Sequence, residues 1–93
     1  MAKITGSPEN IATYVVGVPV QQATKLIDAR PGRKSVVLAY TGISFYIGSS
    51  SAVTASNGLI VNESLQIETE AEIWAYISGG TGTKNIHALE TYD

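Results

Sequence analysis

Apolar residues in this chain never recur at helical spacing over ten or more positions, so the sequence offers no amphipathic helix. Instead, short stretches rich in Val, Ile and Tyr follow one another at intervals of about 8–12 residues, separated by Gly, Pro, Asn and Ser. This spacing is typical of all-β sandwiches and small barrels. Because 93 residues without an internal repeat correspond to one small domain, we predict a single all-β domain, either a small antiparallel β-sandwich or a jelly-roll-like barrel.

The predicted strands differ in how clearly the sequence marks them. Ala12–Val20 is rich in Val and Tyr but contains Gly17 and Pro19, which indicates an edge or bulged strand. Ala23–Ala29 fits either a short strand or a single helical turn. Five further strands are predicted at 34–40, 43–48, 64–69, 73–78 and 84–90.

Three turn signals suggest how these strands connect. Thr41-Gly42 separates the strands at 34–40 and 43–48, which predicts a hairpin. Asn57-Gly58 predicts a tight turn because both positions tolerate positive φ. The loop at 79–82 lacks the spacing of a phosphate-binding loop and precedes a strand rather than a helix, so we interpret it as a hairpin loop.

The N-terminal segment lacks the strand-forming pattern of the rest of the chain. Residues 1–11 read as a polar arm, in which Gly6, Ser7 and Pro8 block regular structure, and we expect this arm to be ordered only against a partner. Residues 12–93 then form the β-sandwich domain. Met1–Gly6 lacks the apolar run of a signal peptide, and no apolar stretch is long enough to span a membrane, so we expect no membrane association.

The composition limits the kinds of partner that this chain can bind. Charged residues make up 15% of the chain, below the roughly 25% of an average soluble protein, while apolar residues make up 44%. The surface must therefore be largely uncharged, which suits contact with other protein and also suits an extracellular module. The net charge is −2 and the only basic cluster is Arg30, Arg33 and Lys34, so we expect no nucleic-acid binding.

The residues that carry chemistry are few. The chain has no cysteine, and His87 is its only histidine, within a predicted strand where a structural role is the simpler interpretation. Glu68, Glu70 and Glu72 have the two-residue spacing that puts three carboxylates on one strand face, which suits a cation such as calcium. A solvated strand end and turn is the simpler interpretation, because charged side chains commonly lie on outward faces. We therefore expect no catalytic residue, no bound metal and no cofactor.

Two groups of residues are candidates for an interface. Arg30 and Arg33 can pair through their guanidinium groups with carboxylates of a partner, or they can bridge within the chain to Asp28 or to loop carbonyls. In the strand at 73–78, Trp74 and Tyr76 alternate with three small or branched apolar residues. If those apolar residues face the core, the two aromatic side chains lie outside, where they mark a protein interface or a sugar-stacking surface; in the opposite orientation, Trp74 belongs to the core. Tyr14 and Pro19, on the predicted edge strand, complete the candidate set.

The order of motifs along residues 28–78 carries a family resemblance. The motifs are Arg30-Pro31-Gly32-Arg33-Lys34-Ser35-Val36-Val37-Leu38, Thr41-Gly42, Phe45-Tyr46-Ile47-Gly48, Val53-Thr54-Ala55-Ser56-Asn57-Gly58-Leu59, Glu63-Ser64-Leu65-Gln66-Ile67-Glu68 and Ile73-Trp74-Ala75-Tyr76. This series resembles small β-sandwich structural proteins of tailed bacteriophage virions, among them capsid decoration proteins, minor head proteins and modules of head fibres and tails. The sequence departs from that pattern at Ser44-Phe45, where Asn-Pro is expected, and at Val61-Asn62, where Pro-Gly is expected.

The resemblance implies a non-enzymatic structural protein of the virion, assembled in the host cytoplasm. The expected function is that of a capsid decoration or minor head protein that docks on the major capsid protein, or on other virion proteins, and stabilises the lattice. Residues 1–22 and the Trp74/Tyr76 face are the expected contacts. The resemblance also implies a homo-oligomer, since trimers are common among such proteins. The alternative is a receptor- or carbohydrate-binding module of a phage fibre or tail, in which exposed aromatic side chains stack on sugar rings.

Overall fold

The computed structural model describes residues 10–93, and within that range it contains eight β-strands and no helix. Residues 1–9, and with them most of the predicted arm, lie outside the described residues. Asn10 and Ile11, which the sequence assigned to the arm, are the first two residues of a strand. The strands are β1 Asn10–Pro19, β2 Thr24–Ile27, β3 Arg33–Ala39, β4 Phe45–Gly48, β5 Leu59–Val61, β6 Leu65–Ile67, β7 Ile73–Tyr76 and β8 Thr83–Tyr92.

The eight strands form two four-stranded antiparallel sheets. Sheet I has the order β1-β8-β3-β6 and sheet II the order β2-β7-β4-β5. Strand β1 therefore pairs with β8, β2 with β7, β3 with β6 and β4 with β5, as if one long hairpin had been rolled up on itself. This pairing is that of an eight-stranded jelly roll. The prediction of an all-β sandwich is confirmed, and Ala23–Ala29, which the sequence left open, contains strand β2.

The core lies between the two sheets and is built from alternate residues of their strands. Val36 and Leu38 of β3 contribute to it from sheet I, and Ile73 and Ala75 of β7 contribute from sheet II; all four are buried. The rest of the buried cluster comprises Val18, Leu26, Ile27, Phe45, Ile47, Val61, Ile77, Ile86 and Ala88. Because strand side chains alternate between faces, the neighbouring residues of these strands point away from the core and form the two outer surfaces.

Two predicted hairpins are wrong. Strand β3 lies in sheet I and β4 in sheet II, so the residues around Thr41-Gly42 carry the chain across the sandwich. The loop at 79–82 is followed by a strand, as predicted, but it also crosses between the sheets, because it links β7 to β8. A turn signal marks a reversal of the chain and does not specify whether the next strand pairs with the last or covers it from the other layer.

The Asn57-Gly58 turn forms for a different reason from the one predicted. Neither residue has a positive φ. The Asn57 side chain accepts a hydrogen bond from the Thr54 backbone N–H at 2.8 Å, and the Gly58 N–H donates to the Thr54 carbonyl at 2.9 Å. A Cβ at Gly58 would lie 2.8 Å from the Cβ of Tyr46. Glycine is therefore required by the close approach of this loop to β4.

Candidate functional site

A buried cluster of charged and polar side chains closes one end of the core. Glu90 of β8 is fully buried, and its Oε2 accepts hydrogen bonds from Arg33 Nε at 2.7 Å and from Arg30 Nε at 2.9 Å. Its Oε1 accepts a bond from the Tyr14 hydroxyl at 2.8 Å. Glu90 faces inward because it follows Ile86 and Ala88 at two-residue spacing along β8.

Arg33 ties two loops to this cluster. It is the first residue of β3, at a register shift in the pairing with β8, and its side chain is buried. Its guanidinium donates to the carbonyls of Thr69 at 3.1 Å and Ala71 at 2.8 Å, and also to the carbonyl of Asp28. Of the two alternatives that the sequence left open for Arg33, these bonds correspond to bridging within the chain, to loop carbonyls and to the backbone of Asp28. The carboxylate that Arg33 binds, Glu90, belongs to the same chain and is buried in its core.

Arg30 and Tyr14 form the outer side of the cluster. The Arg30 side chain is 38% exposed, and its guanidinium carbon lies 3.8 Å from the centre of the Tyr92 ring. Arg30 bridges to Glu90 rather than to Asp28, which pairs with Lys25 at 3.1 Å. Tyr14 points inward to Glu90 and is partly buried, because strand alternation turns its side chain toward the core.

The hydrogen bonds of the cluster shift the pKa values of Glu90, Tyr14 and Arg30. Burial by itself raises the pKa of the Glu90 carboxyl, but hydrogen bonds from Arg33, Arg30 and Tyr14 outweigh it and hold that pKa below its usual value. Burial raises the pKa of the Tyr14 hydroxyl, and its bond to Glu90 raises it further. The bond to Glu90 also raises the pKa of Arg30. Glu90 therefore remains an anion that is neutralised by two guanidinium groups.

The cluster lines a cleft of about 310 Å³, whose other walls include Leu26, Ile27 and Pro31. The Glu90 carboxylate is saturated with hydrogen-bond donors, and every fully buried side-chain N or O atom of residues 10–93 has a partner. Such a carboxylate is held as an anion by its partners and is not poised to accept a proton from a substrate. What the arrangement does is join β1, β3, β8 and two loops at one end of the sandwich.

The lowered pKa of Glu90 predicts a loss of stability in acid. Since the folded-state pKa lies below the unfolded value near 4.5, the contribution of Glu90 is present above that value and is lost as the pH falls through the folded-state pKa. We expect urea midpoints to fall over this acid range. Glu90→Gln should flatten the pH profile, and Glu63→Gln, which changes an exposed carboxyl outside the cluster, serves as the control. If the urea midpoint of the unmodified protein did not change with pH over this range, folding would not lower the pKa of Glu90, and the prediction would be wrong.

The outer face of sheet II carries a row of large side chains. Trp74 and Tyr76 lie there, as their alternation with buried Ile73 and Ala75 requires. Tyr76 pairs directly across the sheet with Tyr46 of β4, and Tyr46 pairs with Ile60 of β5. Ile60 is exposed and the two tyrosines are partly exposed. We call Tyr46, Ile60, Trp74 and Tyr76 the aromatic face.

Contacts within the chain hold Trp74 in place on the aromatic face. Its indole N–H donates to the carboxylate of Glu72, and the Lys25 ammonium lies 5.8 Å from the centre of its ring. Beside it, Val53 is buried against Gly48, so closely that a Cβ at Gly48 would lie 2.8 Å from the Cβ of Val53. The loop between β4 and β5 thus covers the part of sheet II next to Trp74.

The free edge of sheet I is a second surface, and sequence reasoning found only part of it. Strand β1 is an edge strand, as predicted, but it is not bulged: it pairs with β8 residue for residue from Asn10 to Pro19. Pro19 is the last paired residue and is partly buried. Ile11 and Val15, which were not singled out, are exposed. Their two-residue alternation with inward-facing Tyr14 and Val16 is the signal that identifies them.

The other sequence candidates lie apart from these surfaces. Glu68, Glu70 and Glu72 follow the end of β6 and do not share a strand face. Glu70 accepts a bond from the Gly32 N–H at 2.7 Å, and Glu72 binds Trp74. In the described part of the chain, no group of three His, Cys, Asp or Glu residues is arranged to hold a metal ion. Residues 10–93 also contain no helix long and apolar enough to cross a membrane.

Comparison with protein-family models, with curated proteins and with solved structures found no match to this chain. The cluster and the two surfaces are therefore interpreted from their own geometry.

Proposed function

We propose that this protein is a non-enzymatic structural component of a bacteriophage virion, a capsid decoration or minor head protein that docks on the major capsid protein and stabilises the lattice. The motif series over residues 28–78 points to such virion proteins. The jelly-roll pairing of the strands is consistent with this role, because viral capsid domains use the same architecture.

The observation that carries the docking proposal is the aromatic face. Tyr76, Tyr46 and Ile60 form a continuous row across three strands on the side of sheet II that is turned away from the core. Aromatic residues outside a core are the typical anchors of protein interfaces, since they bury large areas and lose little conformational entropy. The shortage of charged side chains supports the same role, because interface centres are depleted of charge.

A carbohydrate-binding function is the second candidate, and the same face would have to perform it. Sugar rings stack on the open surface of an aromatic ring, and lectin domains also use jelly rolls. Trp74, the largest of these rings, already has Lys25 over its ring and Glu72 on its N–H. We therefore assign the face to a protein partner, with sugar binding as an outcome that the experiment below distinguishes.

The proposal predicts that the aromatic face controls incorporation into particles. The double variant Tyr46→Ser/Tyr76→Ser removes two adjacent anchors without touching the core. We expect its copy number per purified virion to fall about tenfold or more at limiting protein, since interface anchors contribute about 2 kcal/mol or more each. Quantitative mass spectrometry and cryo-EM of the particles measure this number.

Tyr40→Ser provides the matched control, because Tyr40 is an exposed tyrosine at the end of β3, outside the aromatic face. It should be incorporated normally. Unmodified protein found on the head lattice, with loss only in the double variant, supports decoration. Copies confined to a fibre or tail tip, together with quenching of Trp74 fluorescence by host glycans, would replace the decoration proposal with the adhesin one.

A further inference from the structure

Strand β1 is a long, uncharged edge of sheet I, and no strand of residues 10–93 lies on its outer side. It is ten residues long, and its pairing with β8 has no register shift. None of the residues Asn10–Pro19 is charged. An edge strand of this kind presents free backbone N–H and C=O groups to any extended segment that approaches it.

The other three sheet edges, formed by β2, β5 and β6, carry features that hinder pairing with another strand. Strands β5 and β6 contain only three residues each. Strand β2 contains four, carries Lys25, and has a register shift between Lys25 and Ile27. Short length, lysine and bulges are the features that natural proteins use to prevent pairing at an edge. Among the strands of residues 10–93, three edges thus carry features that hinder pairing, whereas β1 has only Gly17 and Pro19, near its C-terminal end, to interrupt it.

Two exposed apolar side chains accompany this open edge. Ile11 and Val15 are 60% and 61% exposed on the outer face of sheet I. Behind Val15, a shallow groove of about 430 Å³ runs over Val37, Ala39 and Leu89. A partner that pairs with β1 would thus extend an apolar outer surface that already exists.

We propose that β1 pairs antiparallel with β1 of a second copy of this chain, about a two-fold axis at Thr13, over residues 10–16. Opposite residues of antiparallel strands must point to the same face of the sheet. With the axis at Thr13, Ile11 lies opposite the partner subunit's Val15, and this pair occurs twice. An axis at Tyr14 would place Ile11 opposite a glycine, and one at Val15 would place it opposite a proline.

A second copy fits this edge better than an unrelated strand for two reasons. A two-fold axis makes the edge complementary to itself, so one sequence supplies both halves of the interface. Because residues 10–16 bear no charge, two copies approach without repulsion between their edges, although each chain has a net charge of −2. The two copies of sheet I then form one continuous eight-stranded sheet, and Pro19, which lacks an N–H, lies beyond the paired region. The inference does not depend on a virion role.

A single introduced cysteine tests the register. The chain has no cysteine, so Thr13→Cys creates one thiol per molecule. Across the proposed axis the two Cα atoms lie about 4.5–5.5 Å apart, within the range for a disulfide. Mild oxidation should convert most of this variant to a covalent dimer. In Val15→Cys the equivalent atoms are about 13 Å apart or more, so this control should cross-link at least tenfold less.

The size of the purified protein in solution tests the interface independently of the virion. We expect light scattering to give twice the 9.8 kDa chain mass for the unmodified protein, and the monomer mass for Val15→Lys. Leu59→Lys is the control, since Leu59 is 60% exposed on the edge strand of sheet II, and it should remain dimeric. A monomeric unmodified protein, a dimer that Val15→Lys leaves intact, or equal cross-linking of the two cysteine variants would overturn the proposal.

Discussion

Replacement of Glu90 by Gln should destabilise the fold by about 3–5 kcal/mol, because it leaves the buried Arg33 guanidinium without its counter-charge. The side chains of both residues are almost wholly buried and their atoms lie 2.7 Å apart. Domains of this size have a free energy of unfolding of only about 5–15 kcal/mol. Thermal unfolding followed by circular dichroism should therefore show a melting temperature lower by more than about 12 °C, and urea unfolding should give the free energy directly.

The exposed ion pair between Lys34 and Asp93 gives the matched comparison. These groups lie 3.3 Å apart, but about half of each side chain is exposed. Asp93→Asn should cost no more than about 1 kcal/mol, since water screens such a pair. Equal losses for Glu90→Gln and Asp93→Asn would show that the buried cluster contributes no more than a surface contact, and our account of it would then be wrong.

Replacement of Phe45 by Ala should cost about 3–5 kcal/mol, through lost burial and the cavity left behind. Phe45 is the only phenylalanine of the chain. It is 2% exposed, stands at the start of β4 opposite Val61, and belongs to the buried cluster between the sheets. The loss should appear in the free energy of unfolding measured in urea.

The next residue along β4 provides the control for Phe45. Tyr46 points to the opposite side of sheet II and belongs to the aromatic face, so Tyr46→Ala should cost only about 1 kcal/mol, mainly from the cross-strand pair with Tyr76. The pair of variants tests which side of β4 faces the core. A larger loss at Tyr46 than at Phe45 would mean that the two faces are assigned the wrong way round.

The buried cluster and the open edge are connected through Tyr14. This residue belongs to β1, and its hydroxyl binds Glu90, to which Arg30 and Arg33 also bind. The cluster therefore fixes β1 to the sheet while leaving its other edge free. A firmly held edge strand loses less conformational freedom when a second strand pairs with it, which favours association.

Much of the fold follows from two-residue alternation. The pattern of Ile73, Ala75 and Ile77 correctly implied that Trp74 and Tyr76 lie outside, once the isoleucines were placed in the core. The position of β1 at an edge followed from Gly17 and Pro19, which a central strand rarely contains. The same alternation along β8 puts Glu90 on the face of Ile86 and Ala88, although sequence reasoning did not single out Glu90.

Other features were beyond the reach of local sequence. The hairpins expected at Thr41-Gly42 and at residues 79–82 are crossings between sheets. Glu90 meets Arg33 and Arg30 from 57 and 60 positions away along the chain, respectively. The two arginines looked like surface residues, because a buried arginine is rare unless it is paired, and its pairing partner lay on a distant strand.

The sequence by itself determined that this protein is all-β, how the residues of its alternating strands divide between two faces, and that little charge is available for its surface. These properties depend on neighbouring residues, whose alternation each strand must respect wherever it is placed. Only the tertiary structure decided which strands pair, where the charged cluster forms and which edge remains open. Those properties depend on contacts between distant strands, and they are set by the requirement that two apolar sheet faces cover one another around a single core.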